Sequence, residues 1–492
     1  MLEIDQIQDP EKLRRVAVLL DRTVDQLQEK VKVLTFEIAR LRGETMAQAD
    51  FSFPQAALEK ALNGPAEKTE KKTSQRPAQP GHGPSQQPNL PLVEQVHELP
   101  EAERGCSACG GTLDPLEGQY EESEEITVTE RSYTLLVHRR QKYRCRCNGC
   151  IATAPGPLKL IPGGRYSLDF AVHVAVGKYA DHLPLERQVL MMAREDLQVT
   201  SQSLWDQIEA AARVLRPTYE AIGAWLKAQS LLHADESGWL QIGDTGKPNW
   251  TAWLLCNSKA IWIRIASSKS EAEGRRLLDG YRGTVVADGY QVYKQLARGR
   301  DPDSPGYHLA HCWAHVLRKF RDDVPDKDSR RGWILERISA LYKTEDEIAL
   351  LAEAEEDPML HLTLRQERAG PILEEIRGWA YAQGGLRRDE FGKALAYTLR
   401  HWDGLARFLE DSGVPLDNNP AERALRDLVV GRKNHYGSHS QRGAEVSALF
   451  YTLIGTAKLC KLDPSTYLRE AITAALKTPG AVTLPSQLLS AN

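Results

Sequence analysis

The sequence has no long hydrophobic run and no excess of charge of one sign. No apolar segment reaches the roughly 20 residues of a transmembrane helix, and residues 1–5 lack the apolar core of a signal peptide. The 63 Lys and Arg nearly balance the 67 Asp and Glu, which leaves a net charge of −4. We therefore expect a cytoplasmic protein with no membrane partner, in which any nucleic-acid binding depends on local basic patches.

Cysteine is scarce and unevenly placed. Five of the eight cysteines lie between positions 106 and 150, which in a cytoplasmic protein favours metal binding over disulfides. Two pairs have the CxxC spacing of a tetrahedral zinc site, namely Cys106 with Cys109 and Cys147 with Cys150. Cys145 is an alternative to Cys147. Alternating apolar residues between the pairs favour a zinc-ribbon-like module over residues 96–160, and reduced, unliganded cysteines are the alternative.

A run of basic side chains lies beside the second cysteine pair. Within residues 138–146 these are Arg139, Arg140, Lys142, Arg144 and Arg146. Arg and Lys bind phosphates and Arg also reads guanine edges, so this segment is a candidate DNA-binding strand. A solvated edge strand protected by its charge is the alternative.

The N-terminal region contains a heptad repeat. Leucines recur every seven positions, at Leu13, Leu20, Leu27, Leu34 and Leu41. With mostly β-branched residues at the a positions, this pattern favours a parallel coiled coil over residues 1–45 and hence a homo-oligomer, a dimer or a higher even number. An amphipathic helix packed on its own domain is the alternative. Residues 46–95, rich in Pro, Gly and Gln, are expected to form a flexible linker.

Residues 161–228 have helical periodicity, and residues 197–200 interrupt it. The interruption suggests a helix-turn-helix in which Thr200 is the N-cap of the second helix. A helical hairpin without any DNA role fits the pattern equally well.

The next region, residues 229–440, changes from helical periodicity to strands. Three strand-like segments separated by turn residues predict an antiparallel meander, and two further strands alternate with helices. This order predicts a mixed sheet of RNase H type in an α/β multidomain chain. Helical periodicity before the end of the region predicts a helical insertion at about residues 325–412, and residues 441–492 are expected to form a C-terminal helical segment.

Three acidic residues stand at informative places in this region. Asp235 and Asp288 each end an apolar run, and Glu422 lies in the first turn of a predicted helix. Two Asp at strand ends and a Glu on a later helix are suited to bind two Mg²⁺ ions, which stabilise both oxygens of a phosphoryl displacement. The alternatives are structural, because Asp-Gly is a turn signal and Asn419 with Glu422 resembles a capping box.

The chain resembles the DDE transposases of the insertion sequence 66 family, which belong to bacterial mobile elements. The resemblance rests on short motifs around the acidic residues and continues into the zipper, linker and cysteine region. These motifs are HADESG from His233, VADGY from Val286, CWAHVLRKF from Cys312, DNNPAER from Asp417 and GRKN from Gly431.

The resemblance implies a function for the three acidic residues. In that family two Asp and one Glu bind Mg²⁺, and here they correspond to Asp235, Asp288 and Glu422. The implied activity is binding of the terminal inverted repeats of a mobile element, followed by Mg²⁺-dependent DNA cleavage and strand transfer into target DNA. The resemblance also implies accessory proteins of the same element and work on the nucleoid, and Arg432 and Lys433 are candidate phosphate ligands.

Two other functions fit parts of the sequence. An RNase H-like nuclease without strand transfer would need the same carboxylates. A non-catalytic DNA-binding regulator would need the zinc module and the zipper but has no use for three acidic residues around a helical insertion.

Overall fold

The computed structural model describes residues 132–144, 151–243, 249–298, 306–355, 358–383 and 389–489. The strands, numbered within these residues, are β1 Lys142–Arg144, β2 Ile151–Thr153, β3 Leu231–Leu240, β4 Asn249–Cys256, β5 Ile261–Ala266, β6 Thr284–Ala287 and β7 His308–His311. The helices up to the end of the sheet are α1 Leu168–Tyr179, α2 Leu185–Arg194, α3 Ser201–Lys227, α4 Glu271–Leu278 and α5 Gln291–Ala297. Those that follow are α6 Trp313–Arg318, α7 Ser329–Glu355, α8 Pro358–Leu364, α9 Gly370–Ala382, α10 Glu390–Arg400, α11 Trp402–Ala406, α12 Asn419–His435, α13 Gln441–Leu459, α14 Pro464–Lys477 and α15 Ser486–Leu489.

A five-stranded mixed sheet lies at the centre, with the order β5-β4-β3-β6-β7. Strands β3, β4 and β5 form the predicted antiparallel meander, and β6 and β7 add in parallel beside β3. Every residue of β6 is buried, as expected for a parallel strand that is covered on both faces. This mixed α/β architecture is compatible with an RNase H-like core.

Helices cover both faces of the sheet. Glu236 contacts Tyr293 of α5, whereas His233 contacts Asn418 at the start of α12. Because odd and even positions of a strand face opposite sides, α5 and α12 lie on opposite faces. The larger buried cluster combines the sheet with α1, α3, α12, α13 and α14.

A second buried cluster forms within the region between β7 and α12. Its centre contains Trp313, Phe320, Ile338 and Phe408, each no more than 1% exposed. Val286 of β6 also belongs to this cluster, so the insertion packs against the β6–β7 side of the sheet. The helical segments that the sequence predicts between the last strand and the helix of Glu422 are confirmed as helices α7 to α11.

The N-cap prediction for the long helix α3 is confirmed. The Thr200 hydroxyl accepts a hydrogen bond from the Ser203 amide at 3.1 Å. Helix α2 ends at Arg194, so two helices do flank a short turn here. Among the helices described, none is both long and apolar enough to cross a membrane.

Several predictions fall on other parts of the chain. The predicted coiled coil, the linker, all four zinc ligands Cys106, Cys109, Cys147 and Cys150, and also Cys145, lie outside the described residues. Strands β1 and β2 pair in antiparallel fashion, with Tyr143 opposite Ala152. The second cysteine pair thus belongs to the segment that connects two paired strands.

Candidate active site

The sheet brings Asp235 and Asp288 to neighbouring strands. Strands β3 and β6 run parallel, with His233 opposite Val286. Continuing that register by two residues places Asp235 beside Asp288, on strands about 4.8 Å apart. Pattern and pairing therefore agree on a pair of carboxylates at the carboxyl end of β6.

The expectation that both Asp residues end their strands holds only for Asp288. This residue directly follows β6, whereas β3 continues past Asp235 to Leu240. The reason is that β3 stays paired with β4, up to Leu240 opposite Asn249, after its pairing with β6 has ended. Asp235 lies where the parallel part of β3 stops.

A buried asparagine ties the helix of Glu422 to the strand of Asp235. Asn418 is 0% exposed, and its side-chain amide donates to the Ala234 carbonyl at 2.9 Å. Its side-chain oxygen accepts from Nδ1 of His233, also at 2.9 Å. The backbone carbonyl of Asn418 accepts from the Glu422 amide, so the first turn of α12 is fixed beside β3.

The capping-box alternative for Glu422 does not occur. The N-cap of α12 is Asn418 and makes no side-chain capping hydrogen bond. The Glu422 side chain instead contacts the Arg318 guanidinium of α6 and lies 3.8 Å from Nε2 of His315. Asp288 likewise leads from β6 into α5 and not into a hairpin, and its Oδ1 accepts from the Tyr290 amide at 2.9 Å.

The three predicted carboxylates share one electrostatic environment. Burial raises the pKa of Asp235 to about 7, and the charges of Asp288, Glu422 and Glu236 raise it further. A hydrogen bond from the Glu236 amide, at 2.8 Å, opposes this shift. A bound cation would reverse it, because positive charge favours the ionised carboxylate.

A basic pair lies on the Glu422 side of the site. His315 and Arg318 are three positions apart on α6 and therefore share a helix face. Burial lowers the pKa of His315, and the Arg318 charge lowers it further. Nδ1 of His315 is buried without a hydrogen-bond partner, so this ring is held neutral next to Glu422.

The side chains do not form a closed metal cage as they stand. Across the described residues, no group of three or more His, Cys, Asp or Glu side chains is close enough to hold a metal ion. The contact of Glu422 with Arg318 accounts for this, since it directs the third carboxylate toward a cation of the protein. The chemistry of the donors nevertheless fits Mg²⁺, which prefers carboxylate oxygens and water.

The candidate DNA-binding residues lie in two places. Arg139, Arg140 and Lys142 are exposed near β1, and Arg140 donates from Nε to the Ala154 carbonyl at 2.7 Å. The side chains of Arg144 and Arg146 lie outside the described part of the structure.

The second place is the last turn of α12. Arg432 donates to the Ser237 hydroxyl at 3.2 Å, two residues past Asp235, and Lys433 is exposed. The catalytic helix therefore carries an acidic residue at its start and basic residues at its end, beside the same strand.

The sequence interpretation did not assign Arg318, Asn418 or Lys269 to the site. The spacing of His315 and Arg318 was a detectable signal, because i and i+3 positions of a helix are neighbours. Lys269 contacts the carboxylate of Glu236 at 2.7 Å, a long-range pair that has no local pattern. The prediction that Glu236 points away from the Asp235 face is confirmed by its contact with Tyr293.

Comparisons with known proteins agree with this site. The Transposase IS66 family matches residues 163–446, more than half of the chain. The uncharacterized protein y4jD of Sinorhizobium fredii (strain NBRC 101917 / NGR234) is 30% identical over 407 residues, which cover 78% of this chain and 76% of that protein. The uncharacterized protein y4hP of the same strain is 28% identical over 407 residues, 77% of this chain and 72% of that protein. The chain therefore belongs to the IS66 family of transposases.

Proposed function

We propose that this chain is a DDE transposase that cleaves the ends of a mobile DNA element and transfers them to target DNA. One observation carries the proposal. Asp235 and Asp288 lie on neighbouring parallel strands, and Asn418 ties the helix of Glu422 to the residue before Asp235. Carboxylates that are this far apart in sequence and close in space serve phosphoryl transfer better than they serve stability.

The three carboxylates would hold Mg²⁺, which supplies charge stabilisation for the attacking and leaving oxygens of an in-line displacement. Asp235 would act in its ionised form, because a bound cation offsets the burial that raises its pKa. Glu422 would leave Arg318 when it joins the ligand set, and the freed guanidinium would then face the DNA phosphates. Arg432 and Lys433, at the far end of α12, would hold the strand that leads away from the site.

The remaining parts of the chain would bring the DNA ends together. The four cysteines would hold Zn²⁺ and present the basic strand around Arg139 to the terminal repeats. The predicted coiled coil would pair protomers, so that two ends meet in one assembly. Accessory proteins of the same element are a further expected partner, and the nucleoid is the expected place of action.

Isosteric substitution of the acidic residues tests the proposal. Asp235→Asn, Asp288→Asn and Glu422→Gln should each lower Mg²⁺-dependent strand cleavage by at least about 10³-fold, the scale for loss of a charge-stabilising group. Binding of end-sequence DNA should persist, measured by fluorescence anisotropy. Glu347→Gln, in helix α7, is the control and should cleave as wild type does.

The same assay separates the alternatives. A donor duplex with exposed 3′-hydroxyl ends reports strand transfer directly. Cleavage without transfer would indicate a nuclease, and binding without cleavage would indicate a regulator. Full cleavage by any of the three variants would refute the assignment of the site.

A further inference from the structure

A buried carboxylate lies on the opposite face of β3 from Asp235. The Glu236 side chain is 3% exposed, and its Oε1 is 2.7 Å from the ammonium nitrogen of Lys269. Its Oε2 accepts a hydrogen bond from the Tyr293 hydroxyl, also at 2.7 Å. Each carboxylate oxygen therefore has one strong donor, as a buried charge requires.

The lysine that contacts this carboxylate is fixed at a second point. Lys269 lies in the connection between β5 and α4, with its ammonium 4.1 Å from the centre of the Tyr290 ring. The Tyr290 hydroxyl donates to the Lys269 carbonyl at 2.5 Å. The same tyrosine thus holds both the backbone and the side chain of Lys269.

These contacts lead directly to the candidate active site. Tyr290 is two residues past Asp288, and its amide donates to Asp288 Oδ1 at 2.9 Å. Lys269 lies on the α5 face of the sheet with Glu236, whereas Arg318 and Glu422 lie on the α12 side. The site is therefore flanked by one cation on each side.

The exposure of the two partners argues against a purely structural ion pair. The Glu236 side chain is almost fully buried, yet 49% of the Lys269 side chain is exposed. An ammonium has three N–H donors, and Glu236 is the one carboxylate contacting it among the described residues. The remaining donors face solvent next to Asp288, where the proposed function places a DNA strand.

We propose that Lys269 binds a backbone phosphate of the DNA strand next to the scissile phosphate. Glu236 and Tyr290 act as positioning residues, because they hold the ammonium in place before DNA arrives. This inference rests on the proposed function and adds a phosphate ligand on the side of Asp288 away from Glu422. Preorganising a lysine in this way limits the side-chain entropy lost on binding.

The salt dependence of DNA binding tests the inference. Affinity of the full chain for duplex DNA carrying the element's terminal repeat is measured between 50 and 200 mM KCl, in a Glu422→Gln background that blocks cleavage. Lys269→Met should reduce the slope of log K against log salt by about 0.9, the value for one lost phosphate contact. Lys269→Arg should retain the wild-type slope, because the positive charge remains.

Two controls separate phosphate binding from a structural role. Lys269→Met alone leaves Glu236 buried without its partner, so this variant is also expected to lose stability. The double variant Lys269→Met/Glu236→Gln removes that unpaired charge and should regain the wild-type melting temperature while keeping the reduced slope. Lys458→Met is the matched control, since Lys458 is 42% exposed and pairs with Asp427 at the same 2.7 Å; its slope should not change.

The possible failures are distinguishable. A wild-type slope in the double variant, with wild-type DNA binding intact, would overturn the role of Lys269 and leave the proposed function standing. An equal reduction in the Lys458→Met variant would also overturn it, because the effect would then be general. Absence of DNA binding by the wild-type chain would overturn the proposed function and this inference together.

Discussion

The pKa of Asp235 connects the candidate site to the stability of the metal-free protein. Burial raises this pKa from 3.8 to about 7, so between these values the folded chain binds a proton that the unfolded chain has released. Stability must then fall as pH rises from about 4 to about 7, because the folded state binds more protons. Above pH 7 the folded chain carries a desolvated negative charge at this position.

We therefore predict that Asp235→Asn stabilises the metal-free protein at pH 8. The gain should be about 1–3 kcal/mol, since each unit of pKa shift corresponds to about 1.4 kcal/mol. It should disappear near pH 4, where the wild-type carboxyl is protonated. Urea unfolding in EDTA at pH 4.5 and pH 8 measures both values.

A surface variant controls for the loss of one negative charge. Asp403→Asn, at an exposed position of α11, should leave the stability at pH 8 unchanged within about 0.5 kcal/mol. A less stable Asp235→Asn variant at pH 8 would show that the carboxylate is stabilised in the metal-free fold. The electrostatic interpretation of the site would then be wrong.

At the scale of elements, the junction between β3 and α12 determines the geometry of the site. Asn418 contributes its amide, its carbonyl and both side-chain atoms to this junction, and its backbone N–H donates to Sγ of Cys312 at 3.1 Å. The helix that carries Glu422 therefore starts at a position set by a strand almost two hundred residues earlier.

Removing the Asn418 side chain should loosen this junction. Asn418→Ala leaves the Ala234 carbonyl and the His233 ring without partners, and each such buried group costs about 1–3 kcal/mol. We expect a total loss of about 2–4 kcal/mol in the free energy of unfolding and faster hydrogen exchange in the first turn of α12. Urea unfolding and exchange mass spectrometry measure the two effects.

The neighbouring residue provides a control for this substitution. Asn419 is partly exposed and its side-chain amide contacts only Asp417, at 2.6 Å, among the interactions described for it. Asn419→Ala should cost less than 1 kcal/mol or about that value, the usual cost of one exposed hydrogen bond. Equal losses for the two variants would mean that the junction is not held by the Asn418 side chain.

The elements also show how far local sequence pattern reaches. The meander, the two later strands and the insertion helices follow from periodicity and turn residues, because these are local signals. The continuation of β3 past Asp235 and the Arg318–Glu422 contact depend on pairing between distant segments. Asn418 could be predicted as part of a helix start, but its bonds to β3 could not, because no local rule specifies the partner.

At the scale of the whole molecule, the described region has its own buried core. The buried side chains of its two clusters come from positions between Val172 and Leu488. We expect this core to remain folded when the N-terminal heptad is disrupted, because its buried residues lie elsewhere in the sequence. Assembly and folding of the catalytic region should then be separable.

Substitution of Leu20 and Leu27, at two d positions, tests this separation. Leu20→Lys/Leu27→Lys should lower the subunit number measured by light scattering, because charged side chains disfavour the coiled-coil seam. Joining of two paired ends should fall by about 10²-fold or more, since end pairing becomes bimolecular, whereas cleavage of single ends should persist. Arg22→Ala/Glu29→Ala, at outward-facing f positions, should change neither value. An unchanged subunit number in the Leu variant would refute the zipper, and loss of single-end cleavage would show that the catalytic region depends on it.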